Sequence, residues 1–321
     1  MRGVRFSGGV AATLILALLA SAPADARQKR RHHAVTKPAA SSTYMPPDPT
    51  APPPQLHGMQ YLYGSGEAAA VTLQTWRALV NYVAVAMKEK DRKSVVLAKD
   101  ATLANPSFIP CGDKPPAAVF DVDETAILNL GAEYDDLMAQ RAIYDDDVWK
   151  RWEQTGYDKV VPTPGAKWAL DALRAMGVTV IFNTNRNAFD AKQDEAAING
   201  AGLGPAVHGD TLFLQGDDAG GSMKDGRRRT IAAKYCVLAM AGDQLVDFSD
   251  HFDFDMDILT TMQRRAATIQ SPGIGDLWGN GWFAMPNPVY GSALQGGADD
   301  IFPKDKQWRD PGPAAADKEQ Q

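Results

Sequence analysis

The stretch Ala117-Ala118-Val119-Phe120-Asp121-Val122-Asp123-Glu124-Thr125 constrains this chain more than any other. Four consecutive apolar residues describe a strand buried on both faces, as in a parallel sheet covered by helices. Two carboxylates follow at i, i+2, and an extended backbone would set both on one side, beyond the strand's carboxyl end. Open α/β sheets place their active sites there. An acidic loop after a strand is the plainer reading, and the segments downstream weigh against it.

Val178-Thr179-Val180-Ile181-Phe182-Asn183 reads as a second buried strand, ending at Thr184-Asn185-Arg186. A short strand is expected around Leu212-Phe213-Leu214, another over Cys236 to Ala241 ending in Gly242-Asp243-Gln244-Leu245-Val246-Asp247, and a last one near Trp282 to Met285. Helical patterns alternate with them. Leu73, Trp76, Leu79, Val80, Val83 and Met87 make one apolar stripe in a helix expected over Glu67 to Lys90. Thr163-Pro164 reads as the N-cap and first position of a helix that Gly177 ends. The alternation predicts an α/β fold, a doubly wound parallel sheet. Between them, residues 129–162 carry Tyr134, Tyr144, Trp149, Trp152 and Tyr157 and read as a small, mainly helical cap.

Outside that body the chain changes character. Residues 1–26 have the form of a signal peptide: Arg2 and Arg5, an apolar run from Val10 to Ala20, then Ala24-Asp25-Ala26 as a cleavage site. The run is shorter than the roughly 20 residues a bilayer span needs. No cysteine lies near the cut, so a periplasmic or secreted protein without a stable membrane anchor is expected. Residues 27–56 have the composition of a Pro-rich linker, 57–303 form the folded domain, and 304–321 are a polar tail. Cys111 and Cys236 allow one disulfide in an oxidising compartment, or two buried thiols. A net charge of -6 leaves no basic surplus for nucleic acid.

Three strand ends thus bring different polar groups to one sheet edge: Asp121 and Asp123, then Thr184 with Asn185 and Arg186, then Asp243 and Asp247. Lys224 comes from the helix between, with Lys234 as a competing lysine at that helix's far end. Several carboxylates favour a hard cation, Mg²⁺ above all. Together with a lysine and a hydroxyl they describe a site for phosphoryl transfer.

Asp121-Val122-Asp123-Glu124-Thr125, Thr184-Asn185-Arg186, Lys224 and Gly242-Asp243-Gln244-x-x-Asp247 resemble the four motifs of the haloacid dehalogenase-like phosphatase superfamily. More narrowly, the chain is similar to the bacterial class C nonspecific acid phosphatases, the lipoprotein acid phosphatase and 5′-nucleotidase group. Ser65-Gly66-Glu67, Trp149-x-x-Trp152, Val161 to Ala166 and Met285 to Gly291 extend the likeness over roughly Gly58 to Gly297. The resemblance implies an aspartyl-phosphate on Asp121 and Asp123 as general acid, then base. It implies Thr184 and Lys224 on the phosphoryl group, and Mg²⁺ held by Asp121, the Asp123 carbonyl and Asp243, with Asp247 in support. Asn185 and Arg186 would bind substrate, and Trp149 and Tyr290 would stack on a nucleoside base. A homodimer is also implied. The group's lipidated N-terminal cysteine has no counterpart here.

Other hydrolase chemistries lack their residues. Six positions after Cys111 and Cys236 stand Ala117 and Gly242 instead of arginine, and no H-E-x-x-H, G-x-S-x-G or Walker loop is present. The expected function is therefore a Mg²⁺-dependent acid phosphatase acting on phosphomonoesters, nucleoside 5′-monophosphates among them. A phosphotransferase to alcohols and a non-catalytic binding protein on the same fold are the alternatives.

Overall fold

A computed structural model describes residues 54–141, 143–254 and 261–310. The expected signal segment, the linker up to residue 53 and the tail beyond 310 lie outside the described residues. The folded part opens with helices α1 (Pro54–Gly64) and α2 (Gly66–Ala86), then an antiparallel pair, β1 (Lys93–Leu97) and β2 (Phe108–Pro110). The central strand β3 (Pro116–Phe120) follows. After it come β4 (Ile127–Leu128), α3 (Leu130–Met138), α4 (Asp146–Thr155) and β5 (Val161–Pro162). Helix α5 (Ala166–Ala175), β6 (Thr179–Asn187), α6 (Ala191–Gly200) and β7 (Leu212–Gln215) continue the alternation. Helix α7 (Asp225–Lys234), β8 (Cys236–Gly242) and β9 (Trp282–Ala284) complete the sheet.

That sheet has the order β7-β6-β3-β8-β9, and every neighbouring pair is parallel. The expected doubly wound sheet is therefore present, with β3 at its centre. Side chains of β3 and β6 alternate between two cores. Ala118, Phe120, Val180 and Phe182 pack with Trp76, Leu79, Leu170 and Leu173 of α2 and α5. Val119 and Ile181 face the opposite way, toward Val95 and Val96 of β1, Ile231 of α7 and Trp282. Burial on both faces is what lets these strands be apolar throughout.

Local signals misplace several boundaries. The linker composition was expected to run through Leu56, yet α1 starts at Pro54. Proline is tolerated at the first helical position, where its missing N–H has no partner to lose. A side chain on Gly58 would lie 2.2 Å from the Pro288 carbonyl, so α1 lies directly on the loop that carries Tyr290. The β1–β2 pair has no counterpart in the expected elements. Helix α2 stops at Ala86, before the exposed Lys88-Glu89-Lys90. Thr163 does not cap α5: that place is taken by Gly165 at φ 95°, which suits glycine. The Thr163 hydroxyl instead donates to the Thr125 carbonyl at 2.8 Å and accepts from Trp76 Nε1 at 3.1 Å. It ties α2 to the loop beyond β3.

The cap grows from one point. β4 and β5 pair antiparallel, Ile127 with Pro162 and Leu128 with Val161, and carry α3 and α4 between them. At the opposite end of the sheet Cys111 and Cys236 form a disulfide with Cα atoms 4.6 Å apart. It closes a loop of 125 residues at the starts of β3 and β8. Chain-entropy arguments give such a crosslink about 2–5 kcal/mol. Chemical denaturation with and without reductant should show that loss, and Cys111→Ser combined with Cys236→Ser should reproduce it without further sensitivity to reductant.

Candidate active site

Lys224 sits immediately before α7, buried, with its Nζ donating to Asp121 Oδ1 and, at 2.6 Å, to Asp247 Oδ1. Its backbone N–H donates to Asp250 Oδ1 at 2.8 Å. Asp250 in turn joins Asp225 and the fully buried Arg228, whose guanidinium also donates to the Val246 and Asp247 carbonyls at 2.9 Å. Burial alone would lower the ionisation of the Lys224 ammonium, and Asp121 with Asp247 reverses this, so the group is held charged. Lys234, at the far end of α7, is exposed.

Asp121 keeps strand contact through its N–H to the Ala241 carbonyl at 2.9 Å. Its carboxyl is pushed well up by burial and by Asp247, against the pull of Lys224. Asp243 is pushed up to about 7 by burial and Asp247. Its two oxygens accept from Thr125 at 3.1 Å and from Gln244 and Asn287 at 2.8 and 2.7 Å. Gly242 makes this loop possible, since a Cβ there would stand 2.2 Å from Asp247 Cβ. Asp121, Asp243 and Asp247 each offer a carboxylate oxygen, all within 4.8 Å of one another. Three hard oxygen donors, two of them resisting ionisation in each other's company, fit a divalent cation that would relieve the repulsion.

Asp123 belongs to a second cluster. Arg186 donates to it from Nε at 3.0 Å and from a terminal nitrogen at 2.8 Å, and its other terminal nitrogen donates to Asp194 at 3.0 Å. Asn129 donates to Asp123 at 2.8 Å and the Thr184 hydroxyl lies 3.4 Å away. Thr184 and Arg186 reach the same carboxylate because β6 is extended there and alternate residues share a side. Asn185 between them is exposed, and its Oδ1 accepts from Arg227 at 2.6 Å. After Asp123 the chain reverses through Glu124, at φ 52°. Glu124 is buried and pushed up to about 8, by burial first and then by Asp123 and Glu133. It accepts from the hydroxyls of Tyr290 and Tyr63 and from Asn129 N–H at 2.9 Å.

A cavity of about 510 Å³ lies over both clusters. Asp121, Asp123, Asn185, Arg186, Lys224, Asp243 and Asp247 line its floor, while Trp149 and Tyr144 of the cap segment and Tyr290 line its walls. Trp149 lies against Arg186, whose Cζ is 5.8 Å from the ring centre, so part of its surface packs on the core. Tyr290 is 36% exposed, its hydroxyl end anchored on Glu124.

The residues expected at the site border this one cavity in two groups, except Thr184, which is fully buried behind it with its hydroxyl on Asp123. Within the cavity Asp121 faces Lys224, while Asp123 faces Arg186. Sequence reasoning attached no role to Glu124, Asn129, Asp194 or Asn287. Glu124 lies within Asp121 to Thr125 and Asn287 within Met285 to Gly291, but nothing along the chain marks either as bonded to the site. The pairing of Asp194 with Arg186 has no signature in spacing.

The family model for HAD superfamily, subfamily IIIB (acid phosphatase), matches residues 63–293. This chain belongs to that subfamily, and its class of activity is phosphomonoester hydrolysis. The class C acid phosphatase from Bacillus anthracis is similar in fold: 20% identity, TM-score 0.59, covering 74% of this chain and 86% of that one. A structure of the same enzyme with tungstate bound aligns over the same shares at 21% identity and TM-score 0.57. No curated protein matches the chain.

Cap and core meet through a buried carboxylate. Glu153 of α4 accepts from Asn187 N–H at 3.3 Å and is pushed up to about 8, by burial and then by Asp194, against Arg186. It holds its proton more tightly folded than unfolded. Its contribution to stability is therefore full below about pH 4.5 and lost as the pH rises through about 8. Glu153→Gln should flatten the fall in stability between those values, read from urea midpoints across the range.

Proposed function

We propose that this acid phosphatase is Mg²⁺-dependent, acts outside the cytoplasm and accepts nucleoside 5′-monophosphates. The observation that carries the mechanism is the meeting of Lys224 with Asp121 and Asp247 beside Asp243, under a cavity wide enough for a small ester. Asp121, Asp243 and the Asp123 carbonyl would hold the cation, with Asp247 in support. When bound, Mg²⁺ supplies the positive charge that lets a carboxylate approach a phosphate dianion.

Asp121 then attacks phosphorus as its bond to the ester oxygen breaks, and Asp123 gives that oxygen its proton. The aspartyl-phosphate is opened by a water whose proton returns to Asp123. Lys224 offsets the charge on the nucleophile and on the phosphoryl oxygens, and the Thr184 hydroxyl donates to one of them. Arg186 fixes the orientation of Asp123 from below. Tyr290 and Trp149, both bordering the cavity, support stacking against the base that the leaving group carries.

Export is supported by the disulfide, since such bonds persist in oxidising compartments. Among the described residues no helix is long and apolar enough to cross a membrane.

Purified protein should release phosphate from nucleoside monophosphates in a manner abolished by chelator and restored by Mg²⁺. Asp121→Asn should lower kcat by at least about a thousandfold. Turnover by that variant at the wild-type rate, or indifference to chelator, would sink the mechanism. Trp149→Ala should raise KM for nucleotides more than for small aryl phosphates; equal changes would mean that the ring only packs.

A further inference from the structure

The cavity does not end at the phosphoryl floor. Its upper part runs along the cap, and three carboxylates line that lobe: Glu133 and Asp136 of α3 and Asp146 of α4. Four more stand on the floor, so among the described residues the lining holds seven carboxylates against three cations, Arg141, Arg186 and Lys224. Each of those cations is already engaged twice. Arg141 donates to Asp136 and, at 3.2 Å, to Asp135; Arg186 is held by Asp123 and Asp194; Lys224 is held by Asp121 and Asp247. Glu133 is the opposite case: 7% exposed, it borders the cavity, and among the described residues its carboxylate has no hydrogen-bond donor or cation paired with it, its backbone N–H alone bonding to the Asn129 carbonyl. A buried carboxylate in that condition lacks a donor or a positive charge.

We infer that the cap lobe selects substrates by charge. It takes phosphomonoesters whose alcohol part is neutral or cationic and carries a hydrogen-bond donor, and it rejects those with a second anionic group. The floor can accept one phosphoryl dianion, because Lys224 and a bound cation meet it there. Among the described residues the cation of the upper lobe, Arg141, is already paired with Asp135 and Asp136, so a carboxylate or second phosphate there would lie among Glu133, Asp136 and Asp146. Nucleoside monophosphates and aryl or alkyl esters pass this filter; nucleoside diphosphates, bisphosphates and phosphorylated acids do not. The inference rests on the hydrolase reading above for its substrates, and goes beyond it in assigning specificity to the cap.

The test uses three aryl phosphates of closely similar leaving groups: 4-propylphenyl, 4-(2-carboxyethyl)phenyl and 4-(2-aminoethyl)phenyl phosphate, at neutral pH and low salt. Two methylenes separate the ring from the charge, and variant-to-wild-type ratios cancel what electronic difference is left, so kcat/KM reports the lobe. The neutral ester should exceed the anionic one by about fivefold or more, and the cationic ester should equal or exceed the neutral one. Added salt should narrow the gap. Asp136→Asn and, separately, Asp146→Asn should each move the anionic-to-neutral ratio toward one by about twofold, while Arg141→Gln should move it the other way. A wild-type ratio near one, or a ratio that neither Asn variant moves, would overturn the inference. Absence of turnover with all three esters would defeat the hydrolase reading instead. Calorimetric binding of the matching arylmethylphosphonates would then still read the charge order, and equal affinities would count against the lobe.

Discussion

Burying Lys224 between Asp121 and Asp247 is the interaction on which the rest of the molecule depends. A charged lysine in the interior is costly unless carboxylates meet it, and two carboxylates so close repel unless a cation lies between them. Neither side is stable alone. The three residues come from the end of the central strand, the start of α7 and the turn after β8, so satisfying the charges also fixes how those elements meet. Arg228 with Asp225 and Asp250 repeats the arrangement one layer deeper and holds the loop after β8 against α7.

The second cluster solves a different problem. Asp123 stands two residues from Asp121, and the protein gives it a cation of its own, Arg186, where Asp121 has Lys224. Arg186 is anchored on Asp194 from α6, so its remaining donors are aimed rather than free to wander. Asn129 links Asp123, Glu124 and Arg186 within one residue, at the place where the chain leaves the sheet for the cap. Through Glu124 the same network reaches Tyr290 and Tyr63, and so both ends of the folded domain. Cavity floor, cap root and aromatic wall therefore share hydrogen bonds.

Much of this was legible in the chain. Apolar runs ending in polar residues marked β3, β6 and β8 and the groups at their tips, because parallel strands under helices must be apolar and their ends must face solvent. Lys224 was legible by order along the chain, although the glycines before it obscured its register. Helix α1 was hidden by the proline run, whose composition resembles a linker while its last member is allowed to open a helix. The β1–β2 pair was hidden because Ser94-Val95-Val96-Leu97 is short and lies off the main sheet. Thr163 misled for a clear reason: its local pattern fits a cap, but a buried indole and a distant carbonyl compete for the same hydroxyl. What could not be read at all were pairings across the fold, such as Arg186 with Asp194, since nothing in spacing along the chain records them.

The narrow root of the cap carries a consequence for how such a protein diversifies. Ile127-Leu128 and Val161-Pro162 pair with each other where the cap leaves and rejoins the fold, and Glu153 and Gln154 of α4 join it to Asn187 and Asp190. A replacement segment that ended in two similar strands could be grafted there without altering the order of the sheet or the ion cluster beneath it. The cap can thus be exchanged as a unit while the sheet and the ion cluster on its strand ends are inherited intact.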